Sequence, residues 1–341
     1  MAGFSSSQEE EIPSVKLFVT GGAGFIGSNF VRMALADQLP GLEGCTITVF
    51  DALTYSGTMS NLDVVRDSDR FAFIRGDIRD TKQVSAAVPG HDAIVHFAAE
   101  SHVDRSVTDS RIFVETNVVG TQTLLDQALA SEISRFVHIS TDEVYGSIDE
   151  GSWDEQQSLL PNSPYSASKA ASDLLVRSYH VTHGLNTSIT RCSNNYGTHH
   201  FPEKVIPLFV TNLLDGKKVP LYGDGQNVRD WLHVDDHCRG IALVLNNGRA
   251  GEVYNIGGGT ELSNSDLTHL LLEATGSDES FINHVADRKG HDRRYSVDIS
   301  KIAQELGYAP QVRFEEGLAD AVQWYRDNRW WWEPLKEASG L

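Results

Sequence analysis

The clearest chemical pair in this sequence is a tyrosine and a lysine four positions apart, Tyr165 and Lys169, in the segment YSASK. On a helix this spacing puts both side chains on one face. A free tyrosine has a pKa near 10, and lowering it by about 3 units takes roughly 4 kcal/mol. A cation about 4 Å away supplies a comparable amount at an effective dielectric constant of about 20. The pair therefore predicts a tyrosine base activated by Lys169, whereas the plainer alternative is an exposed pair on a helix surface.

A hydroxyl and two carboxylates follow one another at Thr141, Asp142 and Glu143, where a predicted strand ends. The Thr141 hydroxyl could donate a hydrogen bond to a substrate hydroxyl at that position. Adjacent acids near one site have pKa values that are pushed apart, which leaves one protonated and one ionised. The alternative is an acidic pair that merely caps the start of a helix.

A glycine turn, GGAGFIG, occupies residues 21–27 directly after the first predicted strand. Gly22, Gly24 and Gly27 match G-x-G-x-x-G, and Gly21, Gly24 and Gly27 match the longer form G-x-x-G-x-x-G. Glycine allows a tight turn, close approach of a pyrophosphate to the backbone, and close packing of helix on strand. The helix that follows offers free N–H groups and a partial positive charge to phosphates. The turn predicts a dinucleotide site, and the alternative is a structural turn rich in glycine.

Acidic residues end the second and third predicted strands, at Asp51 and Asp77-Ile78. A carboxylate at the end of the second strand binds both ribose hydroxyls of a dinucleotide. It would also repel a 2′-phosphate, so Asp51 favours NAD over NADP. The end of the third strand is where the adenine edge is usually recognised, which makes Asp77 and Ile78 candidates for that contact.

The elements that position these residues alternate between short β-branched runs and helical patterns. This pattern predicts an α/β fold with a doubly wound parallel sheet, the NAD(P)-binding Rossmann fold. The predicted strands cover residues 15–20, 46–50, 71–75, 93–97, 136–140, 187–191 and 252–256. The predicted helices cover about residues 25–39, 112–131, 163–183 and 235–246.

The character of the chain changes after residue 191, where segments become shorter and richer in Pro, Gly and Trp. We expect residues 14–192 and 232–257 to form the NAD-binding domain. Residues 193–231 and 258–341 would form a smaller substrate-binding domain over the carboxyl edge of the sheet, where ligands of open α/β sheets bind. The Ser- and Glu-rich residues 1–13 indicate a disordered tail rather than a signal peptide.

Composition excludes several classes of partner. The formal net charge of −19 argues against nucleic acid as a partner, because phosphate backbones are repelled. No apolar run approaches the roughly 18 residues that a membrane span needs. The three cysteines are widely spaced and fit neither a disulfide framework nor a metal site. We expect reduced thiols in a cytoplasmic protein.

Beyond these patterns, the chain after about residue 12 closely resembles the dTDP-glucose 4,6-dehydratases of the extended short-chain dehydrogenase/reductase superfamily. The segments that carry the resemblance are residues 21–27, 96–104, 141–146, 165–169, 193–197, 201–204, 225–231 and 331–335. The pair Asp142–Glu143 is the most discriminating of these features. Related 4-epimerases carry small or hydroxyl residues there, and UDP-glucuronate decarboxylases usually keep only the glutamate.

The resemblance implies a lyase reaction on dTDP-glucose with NAD as a recycled cofactor. In it, Tyr165 takes the proton of the sugar's 4-hydroxyl, which Thr141 also contacts, while NAD⁺ accepts the C4 hydride. Glu143 removes the C5 proton and Asp142 protonates the departing C6 hydroxyl. The hydride then returns to C6 and C5 is reprotonated, so the product would be dTDP-4-keto-6-deoxyglucose, for rhamnose or antibiotic deoxysugar synthesis.

The resemblance also implies two sets of binding residues and no metal. The residues for NAD are Gly21, Gly24, Phe25, Ile26, Gly27, Asp51, Ala52, Leu53, Thr54, Asp77, Ile78, Phe97, Ala98, Ala99, Glu100, Thr116, Tyr165, Lys169 and Asn195. The residues for the nucleotide sugar are Ser101, Thr141, Asn194, Glu203, Lys204, Val205, Pro220, Leu221, Tyr222, Arg229, Asn264, Arg288, His291, Asp292 and Tyr295. Arg229 would bind the diphosphate, and its alternative is a surface ion pair with Asp230. His102 and His233 are either proton carriers or hydrogen-bonded structural histidines.

A homodimer is implied by the same resemblance, through a four-helix interface built from the helices near residues 112–131 and 163–183. Two other functions stay open. One is a 4-epimerase or a 4,6-dehydratase that acts on another nucleotide sugar, such as a UDP- or GDP-hexose. The other is a regulator that senses NAD without catalysis, although such proteins typically lose the tyrosine and lysine that this chain keeps.

Overall fold

The computed structural model describes residues 14–288 and 290–341, so the predicted disordered tail of residues 1–13 lies outside the described residues. The strands are β1 (Lys16–Thr20), β2 (Thr46–Asp51), β3 (Phe71–Arg75), β4 (Ala93–His96), β5 (Arg135–Thr141), β6 (Thr187–Cys192), β7 (Asn194–Tyr196), β8 (Val219–Tyr222), β9 (Val228–His233), β10 (Val253–Ile256), β11 (Thr260–Ser263) and β12 (Ile282–Val285). The helices are α1 (Phe25–Leu35), α2 (Thr81–Ala87), α3 (Val103–Thr108), α4 (Arg111–Phe113), α5 (Thr121–Ala130), α6 (Pro164–His183), α7 (Val205–Leu214), α8 (Val234–Asn247), α9 (Asn264–Thr275), α10 (Ser300–Leu306), α11 (Phe314–Asp327) and α12 (Arg329–Ser339).

Seven strands form one parallel sheet in the order β10-β6-β5-β4-β1-β2-β3. The order reverses between β1 and β4, which is the position where ligands of doubly wound sheets bind. The predicted Rossmann α/β fold is confirmed, and the last predicted strand joins this sheet as the edge strand β10 beside β6. The remaining strands form a three-stranded sheet, β11-β9-β7, and a pair, β12-β8.

Two of the predicted helices are shorter or less regular than the pattern indicated. Helix α1 ends at Leu35 instead of residue 39, because Asp37 adopts a positive φ of 55° and the chain then turns through Pro40 and Gly41. The predicted helix over residues 112–131 is observed as α4, a π-helical turn at Val114–Gly120, and α5. A π turn is rare and is found frequently at functional sites.

Helix α6 matches its prediction closely, because its local signals are strong. Ser163 caps the helix and forms a reciprocal capping box with Ser166, and Pro164 occupies the first turn. Gly184 ends the helix in the left-handed conformation with φ 70°. This 20-residue helix carries Tyr165 and Lys169 in its first two turns.

Apolar side chains fill both faces of the large sheet. One core lies under α1 and α8, and a second lies under α5 and α6. A third, aromatic core in the C-terminal part includes Tyr196, Trp231, Trp331 and Trp332. None of the helices described has the combination of length and apolar character that a membrane crossing requires.

Candidate active site

One cavity opens at the carboxyl ends of β1, β2, β4 and β5 and is closed on its other side by residues 193–204. The five predicted catalytic residues all line it. So does every residue predicted to bind NAD except Leu53. Of the residues predicted to bind the nucleotide sugar, Ser101, Thr141, Asn194, Glu203 and Lys204 line it. Positions as far apart in sequence as the glycine turn and Lys204 therefore meet in one cleft.

The glycine turn forms one end of the cavity. Gly21 has φ 69°, and a Cβ there would lie 2.5 Å from the backbone nitrogen of Ala98. A Cβ on Gly27 would collide with the carbonyl oxygen of Gly21, whereas one on Gly24 would meet only that oxygen, at 3.3 Å. The absence of side chains thus packs α1 against β1 and leaves the backbone around Gly24 accessible. The first N–H groups of α1 have no partner within the helix, which suits a pyrophosphate.

Asp51 is held in place at this end by two backbone groups. Its Oδ2 accepts from the N–H of Ala23 at 2.9 Å, and its Oδ1 accepts from the N–H of Leu53 at 2.8 Å. Leu53 adopts a positive φ of 52° and positions Asp51 from outside the cavity. Burial raises the pKa of Asp51, while these two hydrogen bonds oppose the rise. Each oxygen keeps a second lone pair, so the carboxylate fits a ribose with free hydroxyls.

At the end of β3, Asp77 lines the cavity beside Arg79. The guanidinium of Arg79 donates to both carboxylate oxygens of Asp77; its contacts with Oδ2 are 2.6 and 3.0 Å long. This pairing lowers the pKa of Asp77, so the group carries its negative charge. Ile78 is buried next to it and provides an apolar wall, as an adenine site requires.

Thr141 and the carboxylate pair form the opposite end of the cavity. Thr141 is the last residue of β5 and caps a single 3-10 turn, Asp142–Tyr145, by accepting from the N–H of Glu143 at 3.3 Å. The pair does begin a helical turn, as the capping alternative supposed. Asp142, however, is only 1% exposed, and its Oδ2 has no hydrogen-bond partner among the described residues. A surface capping role does not account for that burial.

The two carboxyl groups differ in their electrostatic surroundings. Burial, followed by the charges of Glu143 and Asp230, raises the pKa of Asp142 well above its ordinary value. Burial also raises the pKa of Glu143, but the cations Lys204 and Arg229 oppose that rise. These surroundings therefore favour the protonated form of Asp142 more than that of Glu143. This is the direction that two adjacent acids need for an acid and a base.

Tyr165 and Lys169 are both buried, at 8% and 4% exposure, so the interpretation as a surface pair is wrong. The ammonium group of Lys169 donates to the carbonyl oxygen of Ile139 at 2.7 Å, and burial lowers its pKa to about 8. Burial and then the charge of Glu143 raise the pKa of Tyr165 well above its ordinary value. In the protein without cofactor, desolvation therefore keeps the tyrosine pKa high. Activation of Tyr165 by Lys169 together with the charge of a nicotinamide stays a prediction.

The other residues predicted to bind the nucleotide sugar do not line the cavity. Several of them form a neighbouring polar cluster. Arg229 lies over the ring of Tyr295 at 4.2 Å and donates to the carbonyl oxygen of Asp292 at 3.0 Å. Arg288 lies over the ring of Tyr222 at 4.9 Å. The further residues outside the cavity lining are Val205, Pro220, Leu221, Asn264 and His291.

The charges of Arg229, Asp292 and Arg288 act on Glu143, so this cluster lies beside the cavity that Glu143 lines. Arg288 also lies 3.7 Å from the carboxylate of Asp104, and within the cavity lining Lys204 donates to the carbonyl oxygen of Ser101 at 2.9 Å. The alternative of an ion pair between Arg229 and Asp230 is wrong, because Asp230 instead accepts from the N–H groups of Gly258 and Thr260, at 3.0 and 2.9 Å.

His102 and His233 both serve as helix caps. The Nδ1 of His102 accepts from the N–H of Arg105 at 3.4 Å, and the Nδ1 of His233 accepts from the N–H of Asp235 at 3.3 Å. Burial lowers the pKa of both, that of His102 to about 3. These contacts favour the structural role over the proton carrier. The described residues hold no group of three potential metal ligands, and all three cysteines are buried and unpaired.

Sequence reasoning missed Asn117, which lies in the π turn. Its Oδ1 accepts from the N–H of Glu100 at 2.8 Å, and its Nδ2 donates to the carbonyl of Glu100 and to Ser168, at 3.0 and 2.8 Å. Asn117 thus ties the loop after β4 to helix α6 between Tyr165 and Lys169. An amide inside an apolar helical run was the available signal. His200, which stacks on Phe25 at 4.0 Å and lines the cavity, was also missed.

Comparison with known proteins places this arrangement in a family. Residues 18–321 match the family model described as GDP-mannose 4,6 dehydratase. A dTDP-glucose 4,6-dehydratase of Streptomyces niveus is 58% identical, with 96% of this chain and 98% of the relative covered. Another, from Streptomyces antibioticus, is 61% identical, with 95% and 96% covered. The chain belongs to the dTDP-glucose 4,6-dehydratase family.

Solved structures of two kinds of enzyme are similar to this fold. The dTDP-glucose 4,6-dehydratase DesIV from Streptomyces venezuelae, crystallised with NAD and TYD, aligns with a TM-score of 0.94 and 61% identity, covering 94% of this chain and all of that one. A UDP-glucose 4-epimerase from Thermus thermophilus aligns with a TM-score of 0.84 at 30% identity, covering 92% and 100%. Dehydratases and epimerases thus share this fold, so the fold alone does not decide which of the two reactions is catalysed.

Proposed function

We propose that this chain is an NAD-dependent dTDP-glucose 4,6-dehydratase, a hydro-lyase that forms dTDP-4-keto-6-deoxyglucose and water. The observation that carries the proposal is the pair Asp142–Glu143, with Asp142 only 1% exposed, which shares one cavity with Thr141, Tyr165 and Lys169. Relatives with 58% and 61% identity along nearly their whole length support it.

NAD would be held by the glycine turn and by Asp51. The backbone around Gly24 has room for a pyrophosphate, and the Asp51 carboxylate fits unphosphorylated ribose hydroxyls. When bound, NAD supplies the hydride acceptor for C4 and the hydride donor for C6. Because the hydride leaves and returns within one turnover, the reaction has no net oxidation.

Tyr165 would accept the proton of the sugar's 4-hydroxyl, with Thr141 as a hydrogen-bond partner of that hydroxyl. Burial keeps the pKa of Tyr165 high in the protein alone, so its acidity must increase when the positively charged cofactor joins Lys169 in the site. This requirement links proton removal to cofactor binding. It also means that the tyrosine stays neutral until the site is loaded.

Glu143 and Asp142 would carry the elimination. Glu143 lies in the field of Lys204 and Arg229, which favours its ionised form and suits it to take the C5 proton. Asp142 has a pKa well above its ordinary value, so it holds the proton that the departing C6 hydroxyl needs. The two acids would have different roles because Arg229 opposes the pKa rise of both, whereas Lys204 and Arg288 oppose only that of Glu143.

The nucleotide sugar would extend from the cavity into the neighbouring cluster. Ser101, Asn194, Glu203 and Lys204 line the cavity, and Arg229 and Arg288 would bind the diphosphate as planar donors. The division into an NAD-binding domain (14–192 and 232–257) and a nucleotide-sugar domain (193–231 and 258–341) is part of the proposal. So is a cytoplasmic location, which the three unpaired cysteines favour.

A homodimer completes the proposal. Helix α6 exposes Leu174 and Val181, at 58% and 65%, and the neighbouring helical run exposes Val114 and Val119, at 50% and 45%. Apolar side chains on two adjacent helices suit a four-helix contact with a second copy of the chain. Sedimentation velocity should give a dimer, and a Leu174→Glu variant should shift it toward monomer; a monomeric wild type would contradict this part.

A panel of nucleotide sugars tests the function. The protein, loaded with NAD, is incubated with dTDP-, UDP- and GDP-hexoses, and the 4-keto product is detected by its absorbance in alkali. Product from dTDP-glucose without net reduction of NAD is expected. Product only from a GDP- or UDP-sugar would reassign the substrate, and conversion to a 4-epimer without loss of water would make the chain an epimerase.

A further inference from the structure

Beneath the turn that carries Asp142 and Glu143, buried polar side chains from four elements form one hydrogen-bonded chain. Asp173 on α6 accepts from Nε of Arg191 on β6 at 2.9 Å. The other end of the guanidinium donates to the hydroxyl oxygen of Tyr145 at 2.9 Å. Tyr145 in turn donates to Oδ1 of Asn255 on β10 at 2.8 Å. None of the four is more than 5% exposed.

The donor and acceptor groups of each side chain determine the direction of every hydrogen bond in this hydrogen-bonded chain. The amide nitrogen of Asn255 donates to the carbonyl oxygens of Trp153 and Asp298, at 3.0 and 3.3 Å, so its Oδ1 is left to accept. Arginine can only donate. The proton of Tyr145 must therefore point to Asn255, while its oxygen accepts from Arg191. Burial raises the pKa of Tyr145 to about 12, so this hydroxyl keeps its proton and takes no part in acid–base chemistry.

Two members of this hydrogen-bonded chain, Tyr145 and Asp173, lie next to the two pairs of residues that the proposed function assigns to successive steps. Tyr145 is the last residue of the 3-10 turn Asp142–Tyr145, three positions after Asp142. Asp173 lies four residues after Lys169, one turn further along α6. Arg191, between them, is the register partner of Ser140 on β5, directly before Thr141. The hydrogen bonds thus connect the turn with the carboxylates to the helix with the tyrosine and lysine.

The turn needs such an anchor. A single 3-10 turn has poor hydrogen-bond geometry and little stability of its own. Its cap from Thr141 is long, at 3.3 Å. Tyr145, by contrast, stacks on Trp153 with ring centroids 5.4 Å apart, and the Arg191 guanidinium lies 4.8 Å from the centre of its ring. The same core contains Val144 of the turn and Ala170 of α6.

We propose that Tyr145 and Arg191 are positioning residues that hold the carboxylate pair in register with Tyr165 and Lys169. The inference rests on the proposed function, since that function makes oxidation at C4 depend on the second pair and elimination depend on the first. Neither Tyr145 nor Arg191 is among the residues that line the active-site cavity. They act through the placement of Asp142 and Glu143.

The test is the partition between oxidation and elimination in Tyr145→Phe, which keeps the ring and removes the hydroxyl. With NAD bound and dTDP-glucose saturating, product formation should fall about 10- to 100-fold, as for loss of a supporting hydrogen bond at a reactive group. The KM should change less than about twofold, because binding groups are untouched. The steady-state fraction of reduced nicotinamide should rise several-fold, because oxidation continues while elimination slows.

Tyr308→Phe is the matched control. Tyr308 is also buried, at 3% exposure, and its hydroxyl donates to the carbonyl oxygen of Gly257 at 3.1 Å rather than to a residue of the hydrogen-bonded chain. It should leave the reduced fraction unchanged. Arg191→Lys provides a second variant: it keeps a cation near Asp173 but loses the fork that reaches Tyr145, so it should raise the reduced fraction as well. Equal loss of oxidation and elimination in the two variants, or no change at all, overturns the proposal.

A measurement without substrate keeps this inference separate from the proposed function. Amide hydrogen exchange over residues 142–146 should become at least about fivefold faster in Tyr145→Phe than in wild type or Tyr308→Phe. Unchanged exchange there overturns the positioning role. A wild type that converts no dTDP-glucose refutes the proposed function alone, because the exchange result does not depend on turnover.

Discussion

The two ends of the active-site cavity are built by different physical means. At the glycine turn, backbone does the positioning: Gly21, Gly24 and Gly27 allow close approach, and Asp51 is held by two N–H groups. At the opposite end, buried titratable side chains do it, and their charges depend on desolvation and on each other. Binding can thus be specified by local geometry, whereas reactivity requires an environment assembled from distant parts of the chain.

The largest expected effect is at the end of the cavity where the titratable side chains lie, which is called the reactive end. Tyr165→Phe removes the group that would accept the 4-hydroxyl proton, so the kcat for oxidation should fall by about 10³-fold or more, at the upper part of the range for general acid–base catalysis. Rapid-mixing detection of reduced nicotinamide measures it. Tyr179→Phe, on the same helix with its hydroxyl bonded to Asp126, is the control and should retain activity. Undiminished reduction in Tyr165→Phe would remove the tyrosine from the mechanism.

Glu143→Gln separates the two steps within the reactive end. Oxidation at C4 should persist while loss of water slows by about 10²- to 10³-fold, because an amide cannot take the C5 proton. Reduced nicotinamide should therefore accumulate, and solvent deuterium should no longer enter C5. Glu150→Gln, in the exposed loop that follows, serves as the matched control. Dehydration at the wild-type rate would show that another group is the base.

Gly27→Ala tests the end of the cavity that the glycine turn forms. The added Cβ would collide with the Gly21 carbonyl oxygen, and overpacking of this kind costs about 1–3 kcal/mol or more. Both the free energy of unfolding and the affinity for NAD should decrease, as measured by denaturant titration and calorimetry. Gly90→Ala, at φ 89° with open space around its Cβ, should cost only about 1–2 kcal/mol of stability and leave NAD binding intact. Equal NAD affinity in both variants would contradict the close-approach role.

The smallest expected effect is a loss of folding stability at acid pH. Burial lowers the pKa of His237, which bonds Asn195 at 2.8 Å, to about 3. A depressed folded pKa gives stability that is present above the unfolded pKa of about 6.5 and is lost as pH falls, so moving from about pH 7.5 to 5 should cost about 2 kcal/mol for this histidine. Denaturant unfolding across that range measures the slope. His237→Asn should flatten it and the exposed His183→Asn should not; equal slopes would contradict the assignment.

Much of the fold and of the cavity lining was predictable because the signals are local. The seven strands of the large sheet follow β-branched runs, and α6 begins and ends at its capping residues. The features that the sequence did not predict also have physical reasons. The π turn around Asn117 has no sequence period that separates it from a helix, and Leu53 supports Asp51 through a positive φ that its residue type does not favour.

By itself, the sequence determined the order of strands and helices, the glycine turn at its strand–helix junction, and the spacing that places Tyr165 and Lys169 on one face. These depend on periodicity and on neighbours within a few residues. Only the tertiary structure decided the electrostatics of the site: the pKa of Asp142 is raised well above its ordinary value, that of Lys169 is lowered to about 8, and that of Tyr165 is raised. Desolvation causes these shifts, and desolvation exists only after β5, β6 and α6 have packed together.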